Sequence, residues 1–266
     1  MGLILDRMEL ADVGANPERL AAAIHSQLGD GSGPVPVHDI ARALDIVDIR
    51  EEPLRNMEAA LLTDPERSYG AILLNSTSSW QRRRFSLGHE LGHFVNEYHR
   101  PTSVAGFQCL RSDMVEVRDM NLQFRQEAEA NRFAIELLTP RNRLKLYLSG
   151  DVSLDRVEAI ASDFDISRQA AARRYVQLHD ASLAVLFCRH GRVRYIDRSE
   201  NGPRLKFWVG DAVPDIGSGN SGVRFVAADE WITSPLTDEV MIDVHQQADG
   251  WMTVLLHAEL DDTEPE

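Results

Sequence analysis

The feature that most constrains this chain is the segment HELGH at positions 89–93, which places two histidines around a glutamate. An α-helix turns once in 3.6 residues, so His89 and His93 would lie on one face, one turn apart. Two imidazoles in that arrangement can bind one Zn²⁺ at about 2.0–2.1 Å. Glu90 would lie too far round the helix to be a ligand, yet near enough to take a proton from an attacking water. The segment therefore predicts a helical metal site with one catalytic carboxylate.

A catalytic zinc site needs a third protein ligand, and a later helical segment offers two glutamates for it. Glu127 shares a helix face with Asn131, whose amide could orient a ligand histidine through its ring N–H. We therefore expect Glu127 to bind the metal. Glu129 is the alternative, but it points to a different face, where Arg125 and Arg132 would pair with it on the surface.

Small residues surround both predicted metal segments. Gly88 directly precedes His89, and Gly92 directly precedes His93. Because glycine costs about 1 kcal/mol in a helix interior, the two glycines indicate a packing requirement. Alanines at 128, 130 and 134 would allow a second helix to approach. The alternative is a helix whose histidines are merely buried and hydrogen-bonded. His99 lacks ligand spacing and is interpreted as an ordinary histidine.

The motifs together resemble a known family. RFSLGHELGH at 84–93, EAEANRFA at 127–134 and LLTP at 137–140 are similar to the ImmA/IrrE metallopeptidases, and the resemblance covers about residues 17–180. It implies a thermolysin-like core, a zinc or sometimes manganese cofactor, and cleavage of helix-turn-helix repressors of phage, mobile-element or stress-response genes. Thr139 departs from the family, which often has methionine before the proline.

The periodicity predicts an α+β protein. Together with the resemblance, it implies three parts: a metallopeptidase domain at 1–148, a helix-turn-helix-like segment at 149–181, and a β-rich C-terminal domain at 182–266 that could be sensory. Helices are predicted at 17–28, 38–44, 79–97 and 122–138, with strands at 46–49 and 69–75. Residues 99–113 are predicted to form a loop. Short strands are predicted from 184 onward, including one at 205–209.

Extended substrates commonly pair with a sheet edge in such enzymes. We expect the strand at 69–75 to be that edge, with Tyr69, Leu73 and Asn75 binding the substrate backbone and side chains.

The net charge and the cysteine content argue against several other classes of protein. A net charge of −14 argues against a general nucleic-acid binder and against docking on an anionic membrane. Two cysteines, Cys109 and Cys188, are too few for a disulfide framework. With no secretory signal and no long apolar run, a cytoplasmic protein without a membrane segment is expected. Charges in 154–178 are balanced, so direct DNA binding is not expected, although Arg168, Arg173 and Arg174 cluster there.

The sequence thus predicts a zinc endopeptidase, with manganese as the other candidate metal, that cleaves a regulatory protein such as a helix-turn-helix repressor. The alternative is a non-catalytic, metal-containing binding or antitoxin-like module that sequesters a repressor.

Overall fold

The computed structural model describes residues 2–29, 31–101, 107–110, 122–214, 216 and 221–259, with the backbone alone for 108–110. Its contacts divide the chain into two compact units, Met1–Leu144 with Asp163–Ile166 and Lys145–Ser162 with Ser167–Glu266. Most of the predicted helical segment 149–181 therefore groups with the β-rich residues, and the three-part division stays a prediction. No helix in the described ranges is long and apolar enough to cross a membrane.

The first unit contains helices and a small sheet. Its helices are α1 (Arg7–Val13), α2 (Pro17–Leu28), α3 (Val37–Ala43), α4 (Trp80–Val95), α5 (Leu122–Leu138) and α6 (Arg141–Leu144). Its strands are β1 (Ile46–Glu52), β2 (Met57–Thr63), β3 (Gly70–Asn75) and β4 (Phe107–Leu110). The predicted bounds of α2 and α5 are confirmed. For α2 the cause is local, since Asn16 caps its first turn and Pro17 fits the first helical position.

The strand order in this sheet is β1-β3-β2-β4. β3 pairs in parallel with β1 and antiparallel with β2, so it is a central strand. The prediction that the strand at 69–75 is a sheet edge is therefore wrong. Hydrophobic alternation predicts that a segment is a strand, but pairing partners are chosen by contacts distant in sequence.

β4 lies inside the region predicted to be a loop, so that prediction is wrong for residues 107–110. β4 is short and pairs antiparallel with β2. The parts of the predicted loop at 102–106 and 111–113 lie outside the described residues.

The start of α4 is held by Asp165, a residue of the same unit. Trp80 Nε1 donates to Asp165 Oδ2 at 2.5 Å, and Arg84 Nε donates to the Asp165 carbonyl at 3.2 Å. Ser79 caps the helix, its side chain accepting from the Arg82 amide at 3.3 Å. These contacts fix the N-terminal half of the helix that carries the HELGH segment.

The second unit is α+β as well. It contains α8 (Arg168–Leu178), α9 (Ala228–Trp231) and most of α7 (Leu154–Phe164), with strands β5 (Ser182–Arg189), β6 (Arg192–Arg198), β7 (Gly222–Ala227), β8 (Glu239–Gln246) and β9 (Trp251–Ala258). The strands form one antiparallel sheet in the order β6-β5-β9-β8-β7. One face of the sheet packs on Trp231 and Phe207. The strand predicted at 205–209 is wrong, because only Leu205 forms an isolated bridge there, to Ile232.

Candidate metal centre

The two histidines that were predicted to be ligands lie on α4, one turn apart. Both side chains are fully buried, and their Nε2 atoms are 3.1 Å apart. The rings meet edge to face with centroids 4.8 Å apart. His89 and His93 therefore direct one ring nitrogen each toward a common point.

The approach of α5 to α4 brings the third side chain to that point. A β-carbon built on Gly92 would lie 3.0 Å from the Phe133 ring and 3.1 Å from the Ala130 α-carbon, so glycine is what lets the two backbones approach. At Gly88 the nearest contact, to Ala134, is an ordinary 3.4 Å. The packing requirement predicted from the two glycines is thus strongest at Gly92.

Glu127 extends from α5 into the site and is 2% exposed. Its Oε2 lies 3.1 Å from His89 Nε2, and its Oε1 lies 3.4 Å from His93 Nε2. The three side chains form a buried group whose ligand atoms all lie within 4.8 Å of one another. The structure therefore brings the three predicted metal ligands together.

The spacing of these atoms fits a tetrahedral ion. Zn²⁺ bonds of about 2.0–2.2 Å in tetrahedral geometry separate the ligand atoms by about 3.3–3.5 Å. The two Nε2 atoms are 3.1 Å apart, His89 Nε2 is 3.1 Å from Glu127 Oε2, and His93 Nε2 is 3.4 Å from Glu127 Oε1, so each separation is close to that value. Two imidazole nitrogens and one carboxylate oxygen are also a donor set that zinc uses in catalytic sites.

Asn131 contacts His89, the histidine that it was predicted to orient. Asn131 Oδ1 lies 3.0 Å from His89 Nδ1. Because a carbonyl oxygen only accepts, Nδ1 carries a proton, and Nε2 is the ring nitrogen that faces Glu127 and is available to a metal. The helix periodicity that places Asn131 one turn after Glu127 is what makes this contact.

The sequence analysis missed His99, which contacts the second histidine. His99 is buried, with its Nδ1 2.9 Å from His93 Nδ1. Its Nε2 lies 3.1 Å from Glu129 Oε2. His99 follows α4 in an irregular segment, so helical periodicity does not relate it to His93. The signal that could have found it is the spacing of His89, His93 and His99, which is that of HExxHxxGxxH with Asn96 at the glycine position.

Glu129, the alternative third ligand, does not belong to the ligand group. Arg125 Nε donates to Glu129 Oε1 at 2.8 Å, which confirms one of its two expected partners. The other was wrong, because Arg132 Nε donates to Glu18 at 2.8 Å and lies 3.5 Å from Glu136.

A second residue that the sequence analysis missed, Arg67, closes the C-terminal end of α4. Its buried guanidinium donates to the carbonyl oxygen of His93 at 2.9 Å and to those of Asn96 and His99. A cation suits this end of a helix, where unpaired carbonyl groups carry partial negative charge. Phe107 of β4 contacts both groups: its ring centroid lies 5.6 Å from the guanidinium carbon of Arg67 and 4.6 Å from the centroid of the His93 ring, on which it stacks.

Burial and the mutual contacts set the charges of the three predicted ligands. Burial lowers the pKa of His93 to about 3, so its ring is neutral near pH 7. Burial opposes ionisation of Glu127, but its close contacts with His89 and His93 outweigh it and lower the pKa of Glu127 to about 2. For His89, burial is likewise outweighed by the bond to Glu127, and its pKa is raised. A divalent cation would complete the charge balance of this buried carboxylate and displace any imidazole proton.

Glu90, the predicted catalytic carboxylate, is also fully buried. It directly follows His89, and its negative charge contributes to the raised pKa of that histidine. Glu90 therefore lies close enough to act electrostatically at the site.

The three residues predicted to bind substrate lie in or next to the central strand. Asn75 is fully buried, and its amide is used within the fold: Nδ2 donates to the carbonyls of Leu54 and Met57 at 3.0 and 2.8 Å, and Oδ1 accepts from Thr77. Tyr69 is 56% exposed. A substrate role for Tyr69, Leu73 and Asn75 stays a prediction that has lost its edge-strand argument.

Thr139, the departure from the family pattern, packs without disturbing the ligands. It is fully buried, and its hydroxyl donates to the carbonyl of Ile135, one turn earlier in α5. A threonine can thus satisfy its hydroxyl group within its own helix.

Comparisons with known proteins agree with this geometry. The sequence matches the Peptidase_M78 family, described as the IrrE N-terminal-like domain, over residues 43–175, half of the chain. The fold is similar to that of a Mycobacterium tuberculosis transcriptional regulator, with 12% identity and a TM-score of 0.52, over 94% of this chain and 92% of the regulator. At that identity the likeness concerns the fold alone. A search of curated proteins finds no match.

The family match covers α4 and α5 with all three predicted ligands, and it confirms the resemblance stated from the motifs. The chain belongs to the Peptidase_M78 family of IrrE N-terminal-like domains.

Proposed function

We propose that this protein is a zinc-dependent endopeptidase with a thermolysin-like core, whose metal is bound by His89, His93 and Glu127. The observation that carries the proposal is the buried group of His89, His93 and Glu127, in which the two Nε2 atoms lie 3.1 Å apart and each lies within 3.4 Å of a Glu127 carboxylate oxygen. Zinc is favoured over manganese because two of the three donors are imidazoles and the spacing suits four-coordination.

Glu90 supplies the acid–base chemistry in this proposal. Zinc, when bound, would polarise the scissile carbonyl and lower the pKa of the attacking water. The Glu90 carboxylate accepts a proton from that water and returns it to the amine that leaves when the peptide bond breaks. Because Glu90 is buried, bulk water is excluded from the proton transfer, and the carboxylate interacts more strongly with charge that develops on the reacting groups.

The substrate-binding edge is reassigned to β4. Among the residues that the structure describes, β4 pairs with β2 and no strand pairs with its other edge. Phe107 of β4 stacks on His93, which places this strand beside the proposed metal. An extended peptide could add to β4 through backbone hydrogen bonds, with the metal next to it.

The substrate we propose is a regulatory protein, with a helix-turn-helix repressor of stress-response or mobile-element genes as the leading candidate. Membership of the family supports a peptidase, and the fold is shared with a protein named a transcriptional regulator. Direct DNA binding by this chain is not proposed. Arg168 and Arg173 pair with Glu158 and Asp197 at 2.7 and 2.8 Å, and the net charge is −14.

The other candidate is a binding module that uses the metal fold to sequester a repressor without cleaving it. The structural neighbour is named a transcriptional regulator and not a peptidase, and this name supports the binding module as the second candidate.

A Glu90→Gln variant separates the two functions. The wild-type protein with zinc is incubated with the proteome of its host, and new N-termini are labelled and identified by mass spectrometry. A peptidase produces new N-termini in a small number of regulatory proteins, and Glu90→Gln abolishes them while keeping zinc. Glu52→Gln, an exposed carboxylate on β1, is the matched control and should cleave normally. Identical N-termini with and without Glu90 would reject the peptidase and leave the binding module.

A further inference from the structure

His99 makes a direct ring-to-ring contact behind the proposed ligand His93. The two Nδ1 atoms are 2.9 Å apart, and the ring centroids are 4.9 Å apart at 60°. Two Nδ1 atoms at this distance require one donor and one acceptor. The histidine that donates carries its proton on Nδ1, so the direction of this hydrogen bond decides whether His93 presents a lone pair or an N–H at Nε2 to the metal.

Glu129 determines the position of that proton. Its Oε2 lies 3.1 Å from His99 Nε2, and Arg125 holds its other oxygen at 2.8 Å. A carboxylate only accepts, so His99 Nε2 donates to it, and neutral His99 then has its lone pair on Nδ1. His93 Nδ1 must therefore donate to His99, which leaves the lone pair of His93 on Nε2, 3.4 Å from Glu127.

Asn96 also contacts His99 Nε2, at 3.0 Å through Nδ2. This amide donates to the Ala15 carbonyl and accepts from the Tyr98 amide. A bond to an ionised carboxylate is about twice as strong as one between neutral groups. Glu129 therefore controls the proton on His99, and Asn96 packs beside it.

The backbone that carries His99 is anchored to the same helix end. The Arg67 guanidinium bridges the carbonyl oxygens of His93 and His99, so the two residues are fixed relative to each other at backbone level as well.

We propose that His99 and Glu129 are positioning residues of the metal centre, which hold His93 in the tautomer that presents Nε2 to the metal. Asn131 has the corresponding role for His89 on the other side of the site. The inference rests on the proposed metal site and not on peptidase activity, so it also applies to a non-catalytic binding module.

The first test measures the tautomers in the unaltered protein. Long-range ¹H–¹⁵N NMR spectra of the metal-free wild type, with assigned histidines, distinguish the two ring nitrogens. We expect the proton on Nδ1 in His93 and on Nε2 in His99. A proton on Nε2 of His93, or on Nδ1 of His99, would overturn the proposal without any variant or any bound metal.

The second test measures zinc affinity by competition with a chromophoric chelator. We expect His99→Leu to weaken zinc binding about 10–100-fold, the usual loss when an outer partner of a ligand histidine is removed. His99→Asn should restore most of the affinity, because its Oδ1 can accept from His93 Nδ1. His25→Leu is the matched control, since His25 is a half-buried histidine of the same unit whose Nε2 contacts the Leu137 carbonyl.

The energetic coupling between Glu129 and His99 distinguishes a role in positioning His93 from a role in the general stability of the fold. If Glu129 acts through His99, Glu129→Leu should weaken zinc binding in the wild type but have no further effect in the His99→Leu background. Equal effects of Glu129→Leu in both backgrounds, or a His99→Leu protein that folds and binds zinc like the wild type, would refute the proposal. If these results hold but no protein of the proteome is cleaved, the proposed peptidase function is rejected and the positioning role of His99 and Glu129 stands.

Discussion

At the scale of single residues, the site is organised by groups that only accept hydrogen bonds. Asn131 Oδ1 and the Glu129 carboxylate fix ring protons on the outer side of the histidines, so the inner atoms are lone pairs. Lone pairs brought together in a buried place repel each other unless a cation or a proton lies between them. The hydrogen bonds around these side chains therefore favour a positive charge at the centre of the group, which a bound metal ion could supply.

The ligands could be predicted from the sequence because helix geometry relates them locally. His89 and His93 are one turn apart on α4, and Asn131 is one turn after Glu127 on α5. His99 could not be predicted in the same way, because its position depends on how the chain turns after α4. The same holds for Arg67, which reaches the end of α4 from the turn before β3.

Cys188 provides a prediction at this scale. It is fully buried in the sheet of the second unit, and burial raises the pKa of its thiol to about 11. Since the thiolate is the reactive form, the native protein should not react with a disulfide reagent at pH 8. In a Cys109→Ser background, a colorimetric thiol assay should detect one thiol only after denaturation. Rapid labelling of the native protein would contradict this.

At the scale of elements, the pair α4 and α5 determines the site. Their separation is set where Gly92 meets Ala130 and Phe133, one residue before the ligand His93. The glycine pattern, the cap at Ser79 and the periodicity of α5 made both helices predictable. The sheet was less predictable. The sequence of β3 predicts a strand but does not distinguish an edge strand from an interior one, and its pairing with β1 and β2 makes it interior.

Alanine substitutions at the two glycines should have opposite effects. In Gly92→Ala the new β-carbon meets neighbours at 3.0–3.2 Å, including the Ala130 backbone, so overpacking should destabilise the fold by about 1–3 kcal/mol. Gly88→Ala makes only ordinary contacts at 3.4 Å and should raise stability by up to about 1 kcal/mol through helix propensity. Thermal denaturation of both variants is the measurement, and a Gly92→Ala protein as stable as the wild type would contradict the packing argument.

Arg67 provides a second prediction for α4. An Arg67→Met variant keeps the aliphatic stem but leaves the carbonyls at the helix end without their charged donor. Hydrogen bonds to charged groups contribute about 1.5–3 kcal/mol each, so the free energy of unfolding should fall by at least that amount. Urea denaturation measures it, with Arg42→Met as a control because that exposed arginine pairs with Asp39 at the surface. An equal loss in both variants would show that the helix end does not depend on Arg67.

At the scale of the whole molecule, two units each have their own core, and the metal site lies entirely within the first. Hydrophobic periodicity predicted an α+β protein, and the structure confirms that class. The grouping of residues 145–162 and 167–181 with the β-rich residues could not be predicted, because it depends on contacts such as that of the Leu154 amide with Asp243 at 2.7 Å.

Acid sensitivity is a prediction for the whole chain. Burial is the largest cause that lowers the pKa of several histidines outside the ligand set, namely His25, His38, His179 and His257. The folded protein then holds fewer protons than the unfolded chain, so stability is full above the unfolded value near 6.5 and is lost as the pH falls toward the folded values. The melting temperature of metal-free protein should therefore fall between pH 7 and pH 5. A melting temperature that rises over that range would contradict the assigned shifts.

The central claim is that three buried side chains bind one metal ion, and metal content tests it most directly. Protein purified without added metal is measured by inductively coupled plasma mass spectrometry, as wild type, Glu127→Ala and, for control, the exposed Glu9→Ala. The account predicts about one zinc per chain in the wild type and the control, as a single three-ligand site requires, and its loss in Glu127→Ala. A wild type that contains no metal and takes up none when zinc is resupplied would contradict the account.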